Sequence, residues 1–256
     1  MAPVKLLPLL GATIAVLGNA TPGDGASPGG STTTTYSVEL GAEGACLSDI
    51  NGLREKGGLS KFVQPTEAGK QLPSPENSDN KWDAFCQDVL RAGKQGLKAS
   101  LPSDDDGSSS AMYGMMVISS SKVDCSAVVD RWKDAYKSFS GFPPAPDQAS
   151  GLYDNSDTVM FTALFNPSSG ATADCRVATC TETVTTTVPS EQPKKTEKKG
   201  YAFLCVTTPN VLAEKGTPPF TKEQWEKIAS IFKASAPAVL PSVSFVIFAA
   251  LMGAIL

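Results

Sequence analysis

Cysteine and lysine are the reactive residue types that this sequence sets out in informative patterns. The six cysteines, Cys46, Cys86, Cys125, Cys175, Cys180 and Cys205, could serve as thiolate metal ligands or pair as disulfides. A thiolate metal site needs close pairs of the Cys-x-x-Cys kind. Here the nearest pair, Cys175 and Cys180, has four residues between its members, and the chain holds no histidine to complete a ligand set. An even number of widely spaced cysteines predicts disulfides, with the pairing left open, and neither a metal nor another cofactor. Lack of histidine also removes every Ser-His-Asp or Cys-His arrangement for nucleophilic catalysis.

Lys194, Lys195, Lys198 and Lys199 fall in the polar stretch 189–199 and are candidate glycan contacts, because exposed cations gain from counterion release against a polyanion. Glu191 and Glu197 dilute that charge, and a solvated hairpin loop accounts for the same residues. Asp104, Asp105 and Asp106 lack the spaced oxygen ligands and terminal glutamate of an EF-hand loop, so a solvated turn is expected there rather than a calcium site. Met112, Met115 and Met116 could line a lipid pocket, although methionine in an apolar strand ordinarily fills a core. Ser119, Ser120 and Ser121 precede Lys122 but stand in no Gly-x-Ser-x-Gly elbow, and catalysis is not expected.

The elements that must position these residues can be read from periodicity. Cys46, Ile50 and Leu53 repeat at helical spacing up to Gly57-Gly58, and Trp82, Phe85, Val89 and Leu90 mark a second helix within 79–97. Residues 113–119 form an apolar run of strand length, followed by a third helix with Val128, Trp132, Ala135, Tyr136 and Phe139 on one face, opened by Asp124 or Ser126. Stretches 158–165, 176–188 and 201–207 read as strands. Thr221-x-x-Gln224 is a capping box, with Phe220 placed to staple onto Trp225 at the start of a closing helix. Helices before, between and after strands predict an α/β layered domain whose sheet is covered on both sides. Residues 21–35 are Gly, Ser, Thr and Pro with no apolar period, and read as a flexible leader.

The two ends read as addresses. Lys5, the apolar stretch from Leu6 to Leu17 and the small residues around Ala20 make residues 1–20 a secretory signal peptide. Small residues Ala234-Ser235-Ala236, a short spacer and the apolar run from Val243 make 234–256 a glycosylphosphatidylinositol (GPI) attachment signal, with Ala234 or Ser235 as the attachment residue. The sequon Asn19-Ala20-Thr21 straddles the expected signal cut and Asn166-Pro167-Ser168 is disqualified by its proline, so no N-glycan is expected on the processed chain. A formal net charge of -4 over 256 residues offers no basic face for nucleic acid.

The stretch Val128-Val129-Asp130-Arg131-Trp132-Lys133-Asp134-Ala135-Tyr136-Lys137-Ser138-Phe139 resembles the third helix of the CAP superfamily of cysteine-rich secretory and pathogenesis-related proteins. Residues Met160 to Phe165 look like its following strand, Cys175 to Cys180 with Tyr201 to Cys205 are similar to its cysteine-bearing strand pair, and Cys46 to Leu59 resembles its opening helix. That likeness implies a three-layer α/β/α sandwich over 36–233, a single disulfide-stapled domain. The CAP pattern further implies Cys175 paired with Cys205, Cys180 with Cys86 and Cys46 with Cys125. Where cavity-bearing CAP proteins carry a histidine and a glutamate, this chain has Met160 and Ala135, and neither a thioether nor a methyl group replaces an imidazole nitrogen or a carboxylate on a divalent cation. Together with the two end signals and the cysteines, the whole chain resembles the surface antigen (SAG) family of Eimeria parasites. The resemblance implies a non-enzymatic, GPI-anchored antigen on the outer face of the plasma membrane, meeting a host-cell surface molecule or glycan, or the immune system. A lipid- or sterol-binding CAP-like module is the alternative.

Overall fold

The computed structural model describes residues 30–75, 81–92, 110–149 and 151–233. The expected signal peptide, residues 21–29 of the expected leader, Asp104 to Asp106 and the attachment segment with Ala234 and Ser235 lie outside the described residues. In chain order the elements are β1 (Ser31–Leu40), α1 (Leu47–Lys56), α2 (Lys81–Ala92), β2 (Met112–Ile118), α3 (Cys125–Tyr136), α4 (Ser156–Leu164), β3 (Thr172–Thr187), β4 (Lys194–Thr208) and α5 (Lys222–Lys233).

Local chemistry sets the helix ends. The α3 start is fixed by Asp124, whose carboxylate accepts from the backbone N–H groups of Ser126 at 2.9 Å and Ala127 at 3.3 Å. At α5 the capping box closes in both directions: the Thr221 hydroxyl accepts from Gln224 N at 3.2 Å, and the Gln224 carbonyl oxygen accepts from Thr221 N at 2.8 Å. Phe220 lies 5.8 Å from Trp225 between ring centroids, completing the staple. The α1 helix ends at Gly57, and Gly58 then turns the chain at a φ of +71° that side-chain-bearing residues rarely adopt.

The four strands form one sheet in the order β1-β3-β4-β2, and every neighbouring pair is antiparallel. Successive side chains of a strand point to opposite faces. On β4, Phe203 and Cys205 enter a core built with α1, α3, α4 and α5, while Ala202, Leu204 and Val206 enter a second core built with α2. β3 divides in the same way, with Ala173 and Cys175 in the first core and Ala178 and Cys180 in the second. Aromatic rings dominate the larger core: Phe161 sits 4.8 Å from Phe165, and Tyr136 stacks on Phe232 at 5.1 Å.

Three disulfides tie the layers into one mixed helix-and-strand domain. Cys46–Cys125 joins the start of α1 to the start of α3, Cys86–Cys180 pins α2 to β3, and Cys175–Cys205 bridges β3 to β4 at directly opposed positions.

Three expected elements differ. The stretch 158–165, read as a strand, is helical up to Leu164, with Phe165 as the C-cap of α4, and Thr158, Met160, Phe161, Thr162, Ala163 and Leu164 are all buried. A helix that is apolar all round shows no 3.6-residue period, so its sequence is indistinguishable from a strand buried on both faces. Strand β1 begins at Ser31, inside the stretch read as a leader, because its threonines pair along β3 rather than bury an apolar face. Finally, β4 begins at Lys194, so the hairpin loop shrinks to 188–193 and the four lysines stand on a strand.

Candidate functional site

The β4 strand separates the lysines. Lys195 and Lys199 share the sheet face of Tyr201 and Phe203, whereas Lys194 and Lys198 share that of Ala202 and Leu204. Lys198 is engaged: its Nζ donates to the Leu90 carbonyl at 2.9 Å, at the end of α2, and its register partner Glu182 accepts from the Tyr36 hydroxyl at 3.3 Å. On the other face Glu197 stands between Lys195 and Lys199. Two-residue alternation thus breaks the sequence cluster into two pairs on opposite faces, the members of each about 13 Å apart along the strand, with a carboxylate within one pair.

Past Cys175 and Phe203, the residues of the Lys199 face no longer belong to the helical core. A cleft of about 340 Å³ opens there, lined by Glu39, Gly41, Ser121, Val177, Thr179, Lys199 and Tyr201. Register builds it: Glu39, Thr179 and Tyr201 stand side by side across β1, β3 and β4, and the next row carries Ser37, Thr181 and Lys199. Gly41 closes one end, its N–H donating to the Val177 carbonyl at 2.8 Å. Further along the same face come Thr35, Thr183 and Glu197, then Thr33, Thr185 and Lys195. The result is a hydroxyl-lined sheet face ending in a cleft with one ammonium, one carboxylate and a phenol ring. Such a set offers donors and acceptors suited to polyhydroxy or charged groups; with no histidine in the chain, the hydroxyls there have no imidazole base to activate them.

Sequence reading reached Lys199 by charge but missed Glu39, Thr179 and Tyr201. The available signal was the alternation Thr179, Thr181, Thr183, Thr185, Thr187, which marks a strand with one polar face.

The other candidates occupy different places. Met112 and Met115 are buried, Met115 in the α2 core, and Met116 packs against the larger core. Ser119, Ser120 and Ser121 are exposed, with the Ser120 hydroxyl donating to the Lys122 carbonyl at 2.9 Å. Met160 and Ala135 are both buried in the larger core. Among the described residues, no three acidic, cysteine or histidine side chains gather to hold a metal ion.

A buried polar centre that the sequence did not announce supports the domain nearby. Asp174, fully buried, accepts from Leu72 N at 2.9 Å, Gln64 Nε2 at 3.2 Å and Arg176 Nε at 2.9 Å, and Arg176 reaches on to Glu43 at 2.7 Å. Arg54 is buried as well, donating to the carbonyls of Ser60, Leu164 and Asn166 at 2.9 Å each. Burial pushes its guanidinium down to about 10.

Residues 42–247 match the family model of the sporozoite surface antigen (SAG) protein domain. The chain is also 24% identical over 220 residues to the sporulated oocyst TA4 antigen of Eimeria tenella, an alignment covering 78% of this chain and 83% of that one. No helix among the described residues is long and apolar enough to cross a membrane.

Proposed function

This chain belongs to the sporozoite surface antigen family, and we propose that it is a GPI-anchored antigen displayed on the outer face of a parasite plasma membrane, where it meets host cells or their immune system without catalysing a reaction. The family match over 42–247 carries the reading. The apolar run from Val243, preceded by Ala234-Ser235-Ala236, supports lipid anchoring in place of a spanning helix. Cores on both sides of the sheet support a CAP-like three-layer arrangement. Met160 and Ala135, apolar where a CAP cavity carries metal-binding groups, support a non-enzymatic role.

Full-length protein expressed on cultured cells tests the anchor: phosphatidylinositol-specific phospholipase C should release it into the medium. Retention on the membrane, with acylated anchors excluded, overturns GPI attachment. The released protein should then bind host epithelial cells, and absence of binding would leave immune display as the role.

A further inference from the structure

The sheet-face cleft suggests what such an antigen would hold. We infer that the cleft between Glu39, Thr179, Lys199 and Tyr201 binds a sugar residue carrying a single carboxylate. This deepens the host-contact reading and rests on it.

The chemistry of the lining sets the ligand class. Lys199 is exposed, and among the described residues no partner engages its ammonium, so that group is available to a ligand carboxylate. Glu39, also exposed, supplies two acceptor oxygens for sugar hydroxyls. Thr179 and Ser121 provide hydroxyls that both donate and accept, and Tyr201, half-buried, presents part of its ring to the cleft. Val177, buried in the floor, gives the apolar contact that an otherwise wet site needs.

Charge decides against a polysulfated chain. Lys199 lies on the row next to Glu39 on one side and Glu197 on the other, so a polyanion running along this face meets two carboxylates for each ammonium at that point. A ligand with one carboxylate and several hydroxyls places its charge on Lys199 and its hydroxyls on Glu39 and Thr179. The cleft volume of about 340 Å³ falls in the range of small-molecule sites and accommodates one sugar residue.

The test uses the full disulfide-bonded chain and ligand-observed NMR titration with the methyl glycosides of glucuronic acid and N-acetylneuraminic acid, against methyl glucoside as the uncharged control. At least one acidic glycoside should bind about tenfold more tightly than the control, and Lys199→Ala should abolish that preference, since a lost charge-assisted contact is worth about a factor of ten. Lys194→Ala, on the opposite sheet face, should leave it unchanged. Equal affinity for acidic and neutral glycosides, binding of neither acidic glycoside, or a preference that survives Lys199→Ala overturns the assignment. Cell binding that persists alongside such a failure leaves the host-contact reading standing without this cleft, and a sugar preference without cell binding leaves the cleft assignment standing and overturns host-cell contact.

Discussion

The guanidinium carbon of Arg54 lies 3.6 Å from the centre of the Phe62 ring, a cation placed over an aromatic face inside the larger core. Its donors end on three backbone carbonyls, two of them at the end of α4 and just beyond it, so one α1 side chain fastens the chain after α4 to the loop after α1. Replacement by alanine strands those carbonyls and empties the space under Phe62. Arg54→Ala should therefore lower stability by about 3 to 5 kcal/mol, read by urea unfolding with the disulfides intact. A loss below about 1 kcal/mol would mean that water replaces the guanidinium without penalty.

Gly114 in β2 is held to glycine by Met160 in α4. A Cβ there would lie 2.7 Å from Met160 Cγ and 3.3 Å from its Cα, and the near part of a helix side chain cannot swing away. Gly114→Ala should destabilise by about 1 to 3 kcal/mol. In a Met160→Ala background the same change should cost measurably less, because the nearest obstructing atom, Cγ, is gone. Additive effects in that double-mutant cycle would disprove the contact.

The Cys86–Cys180 bridge is the covalent link between α2 and the sheet, and it spans 94 residues. Replacing both cysteines by alanine removes a long loop constraint from the unfolded chain and should cost about 2 to 5 kcal/mol. Hydrogen exchange should show α2 losing protection before β3 and β4, whose own Cys175–Cys205 bridge persists. Simultaneous loss across all three would contradict that order.

Tyrosine titration offers a check on the packing beyond α3. The Tyr153 hydroxyl donates to the Pro144 carbonyl at 3.0 Å, and burial pushes its pKa up to about 12. Because the folded-state value is raised, the fold favours the protonated phenol. The stabilisation is fully present below the unfolded value near 10 and is lost as pH rises through about 12. Absorbance at alkaline pH should show a late-ionising tyrosine that disappears in Tyr153→Phe, whereas loss in that variant of a phenol titrating near the ordinary value of 10 would place the ring in water.

Periodicity carried the amphipathic elements to within a few residues. Helices α1, α2, α3 and α5 each bury one stripe, and the capping residues Asp124 and Thr221 with Gln224 make the bonds their types predict. Helix α4 was hidden because it is buried all round, and its one local marker is Asn155, whose side chain accepts from Asp157 N at 2.9 Å. The run Lys-Lys-Thr-Glu-Lys-Lys at 194–199 has no apolar alternation, and it becomes strand because each residue pairs across to the threonine-rich β3.

Sequence alone determined the chemical inventory: an even set of cysteines, no histidine, the apolar stripes of four helices and the candidate signals at both ends. Those properties depend on residue type and near-neighbour spacing, which short-range physics can read. Tertiary structure decided which lysines share a face, since strand alternation sends Lys195 and Lys199 one way and Lys194 and Lys198 the other. It also brought Glu39 into one row with Thr179 and Tyr201, each more than a hundred positions from Glu39, an alignment that exists only through the β1-β3-β4 register. Register is fixed by which side chains each face buries over the whole sheet, a long-range condition that no single segment contains.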